Sequence, residues 1–309
     1  MVKEGWDALA RWRDSRMGER GDLWHRALID PTMLRILGPV RGLRILDLGC
    51  GNGYLTRRWA RQRASFVLGV DSSRPTLGFA RRRERARPTG ARFLERAAND
   101  LSGVASGAFD RVVANMSLQD IRDAAGAVKE VARVLAPGGR FIFSISHPCF
   151  DIDERSAWLV ERVRERDGAW RDRTWRKVRQ YREERAVRVP WKISADETGY
   201  TTAYHRTLST YVRILRDAGL AVVRMEEPSP LSEMVGKSPQ GRFVQEIPLH
   251  LVAEAVATRP VARPLGASKV RLPESRTSEG SPSRAGRRSG SDDRTRGSRS
   301  RRPDSKPGS

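Results

Sequence analysis

Two cysteines in 309 residues allow at most one disulfide, so the fold cannot rest on a covalent framework. Cys50 and Cys149 each fall where a strand should end; both are expected to be reduced thiols, in a cytoplasmic setting. No run of about 18 apolar residues occurs, which argues against a membrane-spanning helix. The N-terminal residues mix Arg and Asp among apolar positions and do not read as a secretory leader. No internal repeat is visible, which argues against a solenoid. Hydrophobic residues make up 38% of the chain. That is low for a wholly globular protein, so part of the length is expected not to fold.

Lysine is scarce too, at seven of the 59 basic residues. The formal net charge of +22 is therefore carried mainly by arginine. Such a surplus suits phosphate or nucleic-acid recognition; it equally follows from a GC-rich genome. From Arg259 onward the composition turns to Arg, Ser, Gly and Pro, with 14 basic and 5 acidic residues. That stretch has too little apolar surface to offset its ordering entropy. Residues 259–309 are expected to be a disordered basic tail, capable of weak polyanion binding.

Residues 1–40 read as an N-terminal helical segment, and 41–258 alternate strand and helix patterns. Strands are predicted at Arg44–Leu48, Phe66–Val70, Arg92–Leu94, Phe109–Ala114, Arg140–Ile145, Leu220–Glu226 and Ile247–Ala255. Helices are predicted at Leu55–Arg63, from Pro75 to about Arg87, and at Ala124–Leu135 and Leu208–Ala218. The pattern implies an α/β fold: a seven-stranded, mostly parallel Rossmann-like sheet with helices on both faces and the final strand antiparallel. Residues 151–195 interrupt it as an insertion rich in Arg, Glu and Trp, with no strand period.

The segment Ile45-Leu46-Asp47-Leu48-Gly49-Cys50-Gly51-Asn52-Gly53 runs a strand into a glycine loop and then a helix. Glycines there permit positive φ and close approach of a ligand, and the following helix start can hold a polar group. Asp71 ends the second strand, where a carboxylate can accept hydrogen bonds from ribose hydroxyls. A dinucleotide fingerprint would need a third glycine at position 54, which is Tyr54. Asp47 would also repel a pyrophosphate, whereas it suits the ammonium of an amino-acid ligand.

LDLGCGNG (46–53), VLGVDSS (67–73), FDRVVANMSLQDI (109–121), VARVLAPGGRFIFSISHP (131–148) and YHRTLSTYVRILRDAGLAVVRMEEP (204–228) together resemble the class I S-adenosylmethionine-dependent methyltransferases, in their small-molecule, type 11-like branch. The resemblance spans roughly residues 20–256. It implies that Asp47, Gly49, Cys50, Gly51, Asn52 and Gly53 surround the methionyl part of S-adenosyl-L-methionine and that Asp71 and Ser72 meet the ribose. Asn115 joins that set. Many relatives carry an aspartate against the adenine amino group where this chain has Ala97. The Ala98 N–H, with Asn99 or Asp100, is left to meet the adenine.

Acceptor groups are expected just beyond the strand ends. After the fourth strand come Asn115, Ser117 and Gln119, without the Asn/Asp-Pro-Pro-aromatic motif of enzymes that methylate base amines. After the fifth comes His147-Pro148, where His147 is the candidate base, with Tyr204 and His205 as further substrate contacts. No metal cluster is predicted. The insertion, with Trp158, Trp170, Trp175 and Trp191, is open to three readings: a lid over the acceptor, a surface for single-stranded RNA, or a solvated helix pair. Trp6, Trp12, Trp24 and His25 are placed to pack across the cofactor mouth. The expected function is methyl transfer to an O, N or C atom of a small molecule. The alternatives are an RNA or protein methyltransferase using the basic surface, or a cofactor-binding module without catalysis.

Overall fold

The structure, a computed structural model, describes residues 3–258 apart from Ser238. The basic tail expected from Arg259 lies outside the described residues. Helix α1 (Gly5–Met17), a π-helical turn (His25–Ile29) and α2 (Asp30–Leu37) come first. There follow β1 (Arg44–Leu48), α3 (Tyr54–Arg61), β2 (Phe66–Asp71), α4 (Arg74–Ala86), β3 (Arg92–Glu95), β4 (Phe109–Asn115), α5 (Ala124–Val134) and β5 (Leu135–Ser146). The predicted elements are there, with ends shifted by a few residues. Their starts carry the expected chemistry: the Ser73 hydroxyl accepts from Thr76 N–H at 3.3 Å ahead of Pro75. Asp123 accepts from Gly126 N–H at 2.8 Å.

The insertion is β-structure. Strands β6 (Ser156–Arg164) and β7 (Trp170–Val178) form one antiparallel hairpin, and β8 (Arg185–Lys192) and β9 (Thr198–His205) form another. This overturns the helix-pair reading. Strands β6, β7 and β8 are largely exposed on both faces, so no burial pattern imposes on them the alternation by which strands are read. Then come α6 (Leu208–Asp217), β10 (Leu220–Glu226), α7 (Ser232–Lys237), α8 (Pro239–Glu246) and β11 (His250–Ala257). Helices α7 and α8 were not predicted, and β11 starts three residues later than expected, just past Pro248.

The seven-stranded sheet runs β10-β11-β5-β4-β1-β2-β3. The neighbours from β5 through β3 pair in parallel, and β11 is antiparallel to both β5 and β10. Alternate residues of the same strands feed two cores. Leu46, Leu68, Val112, Phe141 and Leu251 pack under α5 and α6, with Val128, Val131 and Leu215. Ile45, Val67, Val113, Ile142 and Val252 face the other way, onto Met33, Ile36, Leu55 and Trp59 of α2 and α3. Both faces are thus covered, as a parallel sheet requires, and β1 sits in the middle with its carboxyl end free to hold a ligand.

Candidate functional site

A cavity of about 420 Å³ opens at the carboxyl ends of β1, β2 and β4, the topological position where ligands sit in open α/β sheets. Its floor is the glycine loop. Gly49, Gly51 and Gly53 all have positive φ, at 71°, 56° and 72°, for different reasons. A Cβ on Gly49 would collide with Ser117, whose hydroxyl is tied to Leu48 O at 2.7 Å. A Cβ on Gly53 would lie 2.6 Å from the Phe93 ring. A Cβ on Gly51 meets nothing within 4 Å and would point into open space. Gly49→Ala is therefore expected to cost about 2–4 kcal/mol of stability, combining left-handed strain with overpacking. Gly51→Ala costs about 1 kcal/mol and shows its effect in ligand affinity; thermal denaturation alongside a cofactor titration separates the two.

Acidic side chains ring this floor. Burial pushes the Asp47 carboxyl up to about 7, against the Thr56 hydroxyl that donates to it at 2.6 Å and with help from the charge of Asp71. Asp71 is raised by burial as well, although it accepts from Gly51 N–H at 2.9 Å and Ser73 N–H at 2.8 Å. Asp120 is pushed up to about 8 by burial, with Arg13 and Trp6 opposing and Asp71 adding to the rise. Burial raises all three, and the charge of Asp71 adds to the rise at Asp47 and Asp120, so a cation among them would favour their ionised forms.

Asn52 donates its amide N–H to Asp14 Oδ1 and Gly18 O, each at 2.9 Å, and its own Oδ1 is buried without a partner. Cys50 lines the cavity, but burial, with Asp47 and Asp71 beside it, pushes its thiol well above the usual range. It stays protonated and inert. Asn115 bonds Asp30 Oδ1 at 3.0 Å and Tyr54 OH at 3.1 Å, and accepts from the Ser144 hydroxyl at 2.6 Å.

Of the sequence-predicted cofactor residues, Asp47, Gly49, Cys50, Gly51, Asn52, Asp71, Ser72, Ala98, Asn99 and Asn115 line this one cavity. Gly53 does not: it turns the chain into α3. Asp100 does not either; its carboxylate accepts from Ser102 N–H at 3.1 Å. Ala97 lines the wall, and Asn99 donates to Asp123 at 3.1 Å. Among the described residues no group of three or more His, Cys, Asp or Glu side chains is disposed to hold a metal.

The predicted acceptor side needs correction. His147 is buried away from the cavity: its Nδ1 accepts from Cys149 N–H at 3.1 Å, and its Nε2 lies 3.0 Å from Glu227 Oε1. With both nitrogens committed it is a loop-shaping residue. His205 is held by Tyr181 O at 2.8 Å and Tyr204 by Arg122 at 3.1 Å, and neither lines the cavity. Gln119 folds back onto Met116 O at 2.9 Å.

No residue of 151–195 lines the cavity. Its outer wall is instead α1, through Trp6, Arg13, Asp14 and Met17. Arg83 clamps Asp14 at 2.9 Å. The second hairpin backs the helix: Trp191 packs on Trp6 and Trp12 at centroid distances of 5.9 and 5.7 Å. Of the four N-terminal candidates, Trp6 and His25 line the cavity, whereas Trp12 lies on Trp191 and Trp24 on His250.

Comparison with known proteins agrees with this geometry. Residues 46–143 match the methyltransferase domain family. A ubiquinone biosynthesis O-methyltransferase of Alkalilimnicola ehrlichii is 35% identical over 141 residues, 44% of this chain and 55% of that protein. A demethylmenaquinone methyltransferase of Thermus thermophilus is 42% identical over 121 residues, 38% of this chain and 52% of that protein. The chain thus spans about half the length of these relatives. The crystal structure of an S-adenosylmethionine-dependent methyltransferase from Mesorhizobium loti superposes with a TM-score of 0.58 and 28% identity, over 73% of this chain and 96% of that one. Sequence likeness to the methyltransferase domain across the glycine loop and the first five strands is thus joined to likeness of fold along nearly all of a solved S-adenosylmethionine-dependent methyltransferase.

Proposed function

We propose that the protein transfers the methyl group of S-adenosylmethionine to a small-molecule acceptor. The observation that carries this reading is the set of buried, raised carboxylates Asp47, Asp71 and Asp120 around a glycine loop open at Gly51. Such a cavity asks for a ligand with positive charge and hydroxyls, and the residues present fit that cofactor. Asp47 and the unpartnered Asn52 Oδ1 would accept from the amino group, and the backbone N–H groups of the loop would meet the carboxylate. The lone pairs left on Asp71 would take the ribose hydroxyls. Ala98, Asn99 and Ile121 would border the adenine, without the aspartate that Ala97 replaces. When bound, the cofactor supplies an electrophilic methyl carbon on a sulfonium whose departure needs no acid. The protein's share is then to align the acceptor and exclude water, and α1 provides that outer wall.

The names of both quinone-pathway relatives favour a small acceptor over a nucleic acid. No described helix is long and apolar enough to cross a membrane, and Cys50 and Cys149 are unpaired. We infer a reducing, cytoplasmic setting.

Calorimetric titration with S-adenosylmethionine tests the reading, with an Asp47→Ala, Asp71→Ala double variant alongside. Micromolar binding to the wild type, abolished in the variant, is the expected result. A wild type that binds nothing would overturn it, and so would equal binding by both proteins.

A further inference from the structure

We propose that His25, oriented by Asp22, is the general base of the transfer and that the acceptor atom is a phenolic hydroxyl oxygen. The inference rests on the methyltransferase reading above. His25 opens the π-helical turn behind α1 and lines the same cavity as Asp47 and Gly51. Its Nδ1 lies 2.8 Å from Asp22 Oδ1, which also accepts the His25 backbone N–H at 3.0 Å. Asp22 Oδ2 accepts from Arg13 at 2.8 Å. Burial would raise the Asp22 carboxyl, but His25 and Arg13 hold it well below the usual carboxylate range, so it stays ionised. An ionised carboxylate at Nδ1 fixes the hydrogen there and leaves the Nε2 lone pair free.

Among the described residues Nε2 has no hydrogen-bond partner, and it is not sealed from solvent. The Tyr54 ring meets the imidazole edge-on at 6.2 Å, and Tyr54 in turn holds Asn115 at the end of β4. The other three histidines do not qualify. His147 has both nitrogens engaged, His205 is bonded to a backbone carbonyl, and buried His250 lies off the cavity. Trp6, Met17, Leu55 and Met116 supply apolar and aromatic walls that suit a planar ring. One of the relatives above is an O-methyltransferase by name.

In the step, the hydroxyl proton passes to His25 Nε2 while an oxygen lone pair forms the bond to the methyl carbon. The carbon–sulfur bonding pair stays on sulfur, which leaves as the thioether. The imidazolium is balanced by Asp22 and later returns its proton to water. Asp22 is a positioning residue, and its contact to the His25 N–H also serves the turn, so a purely structural role is the rival.

The test measures methyl transfer to catechol, from pH 5.5 to 9, in wild type, His25→Gln and Asp22→Asn, with cofactor affinity taken by calorimetry. The groups facing His25 are Asp22 in its own turn, Arg13 from α1, Asp30 from α2, Tyr54 from α3 and His250 from β11. The expected result is catechol turnover by the wild type, with a rate that climbs with pH on an acid limb. His25→Gln should keep cofactor affinity within about threefold, lose about a hundredfold or more in kcat, and lack that limb. Asp22→Asn should move the limb to lower pH, because an imidazolium without its carboxylate gives up its proton more readily; this decides the matter should His25→Gln not fold. Persistence of rate and limb in His25→Gln would reduce His25 to a structural residue. A wild type that binds the cofactor and leaves catechol untouched would overturn the hydroxyl assignment. A wild type that does not bind the cofactor would instead sink the methyltransferase reading itself.

Discussion

Asp47→Asn is expected to bind S-adenosylmethionine at least tenfold more weakly at pH 8 and to flatten the pH dependence of binding below that point. In the wild type Asp47 titrates near 7 and Asp120 near 8 in the free protein. A cationic ligand prefers both ionised, so affinity should rise with pH through this range. Each controlling carboxylate contributes about tenfold per pH unit below its free value, down to the lower value it takes once bound. Binding should release protons, visible as a dependence of the calorimetric enthalpy on buffer ionisation.

Stability moves the other way. A carboxyl raised from 3.8 to about 7 contributes stability below the unfolded value and loses it as pH rises through the folded one. The bound on that loss is about 4 kcal/mol for Asp47. Asp47→Asn should therefore raise the melting temperature of the free protein at pH 8 and leave it nearly unchanged at pH 4, trading affinity for stability. Equal melting temperatures at both pH values, with undiminished cofactor affinity, would show that Asp47 carries no strain for a ligand to relieve.

Trp59→Ala carries the largest expected cost to the fold. Trp59 is fully buried among Met33, Ile36, Leu55 and Val67, between α3 and the sheet. Its truncation should cost about 3–5 kcal/mol, a large share of the 5–15 kcal/mol typical of a domain. Trp59→Phe should cost far less. The indole Nε1 has no partner in its burial, so phenylalanine removes an unpaired N–H worth about 1–3 kcal/mol against the smaller void it leaves. Denaturant titration of the two variants gives both numbers. Because α3 starts at Tyr54, directly after the glycine loop, saturating cofactor should recover more stability in Trp59→Ala than the wild type gains only if the variant's loosened loop is re-ordered by the ligand.

The middle of the sheet was legible because its central strands, among them Arg44–Leu48 and Phe66–Asp71, are buried and read as apolar runs. The glycine-loop floor of the cavity was legible because Asp47, the three glycines and Asp71 are fixed by backbone geometry and charge. What escaped was held by contacts far apart in sequence. The wall formed by α1 depends on Trp191 and Arg83, well beyond any local pattern. His147 looked catalytic from its place after a strand, yet Glu227 and Cys149 occupy its nitrogens. The hairpins carried one readable sign, Asp167-Gly168, with Gly168 at φ 82° in the turn between β6 and β7. Asp22-x-x-His25 offered a similar hint, the spacing of a capped helical turn.

The place of β11 has a consequence for how the protein comes off the ribosome. The last strand among the described residues is an interior strand, between β5 and β10. Until residues 250–257 have emerged, β5 shows a bare edge and β10 has no neighbour to join. The glycine loop is by then long since synthesised, within the first third of the chain. A nascent chain paused between these points carries a formed nucleotide-type floor beside an unpaired strand edge, the kind of surface on which aggregation starts. Chaperone demand should thus be set by the time taken to make the residues between β5 and β11, hairpins included.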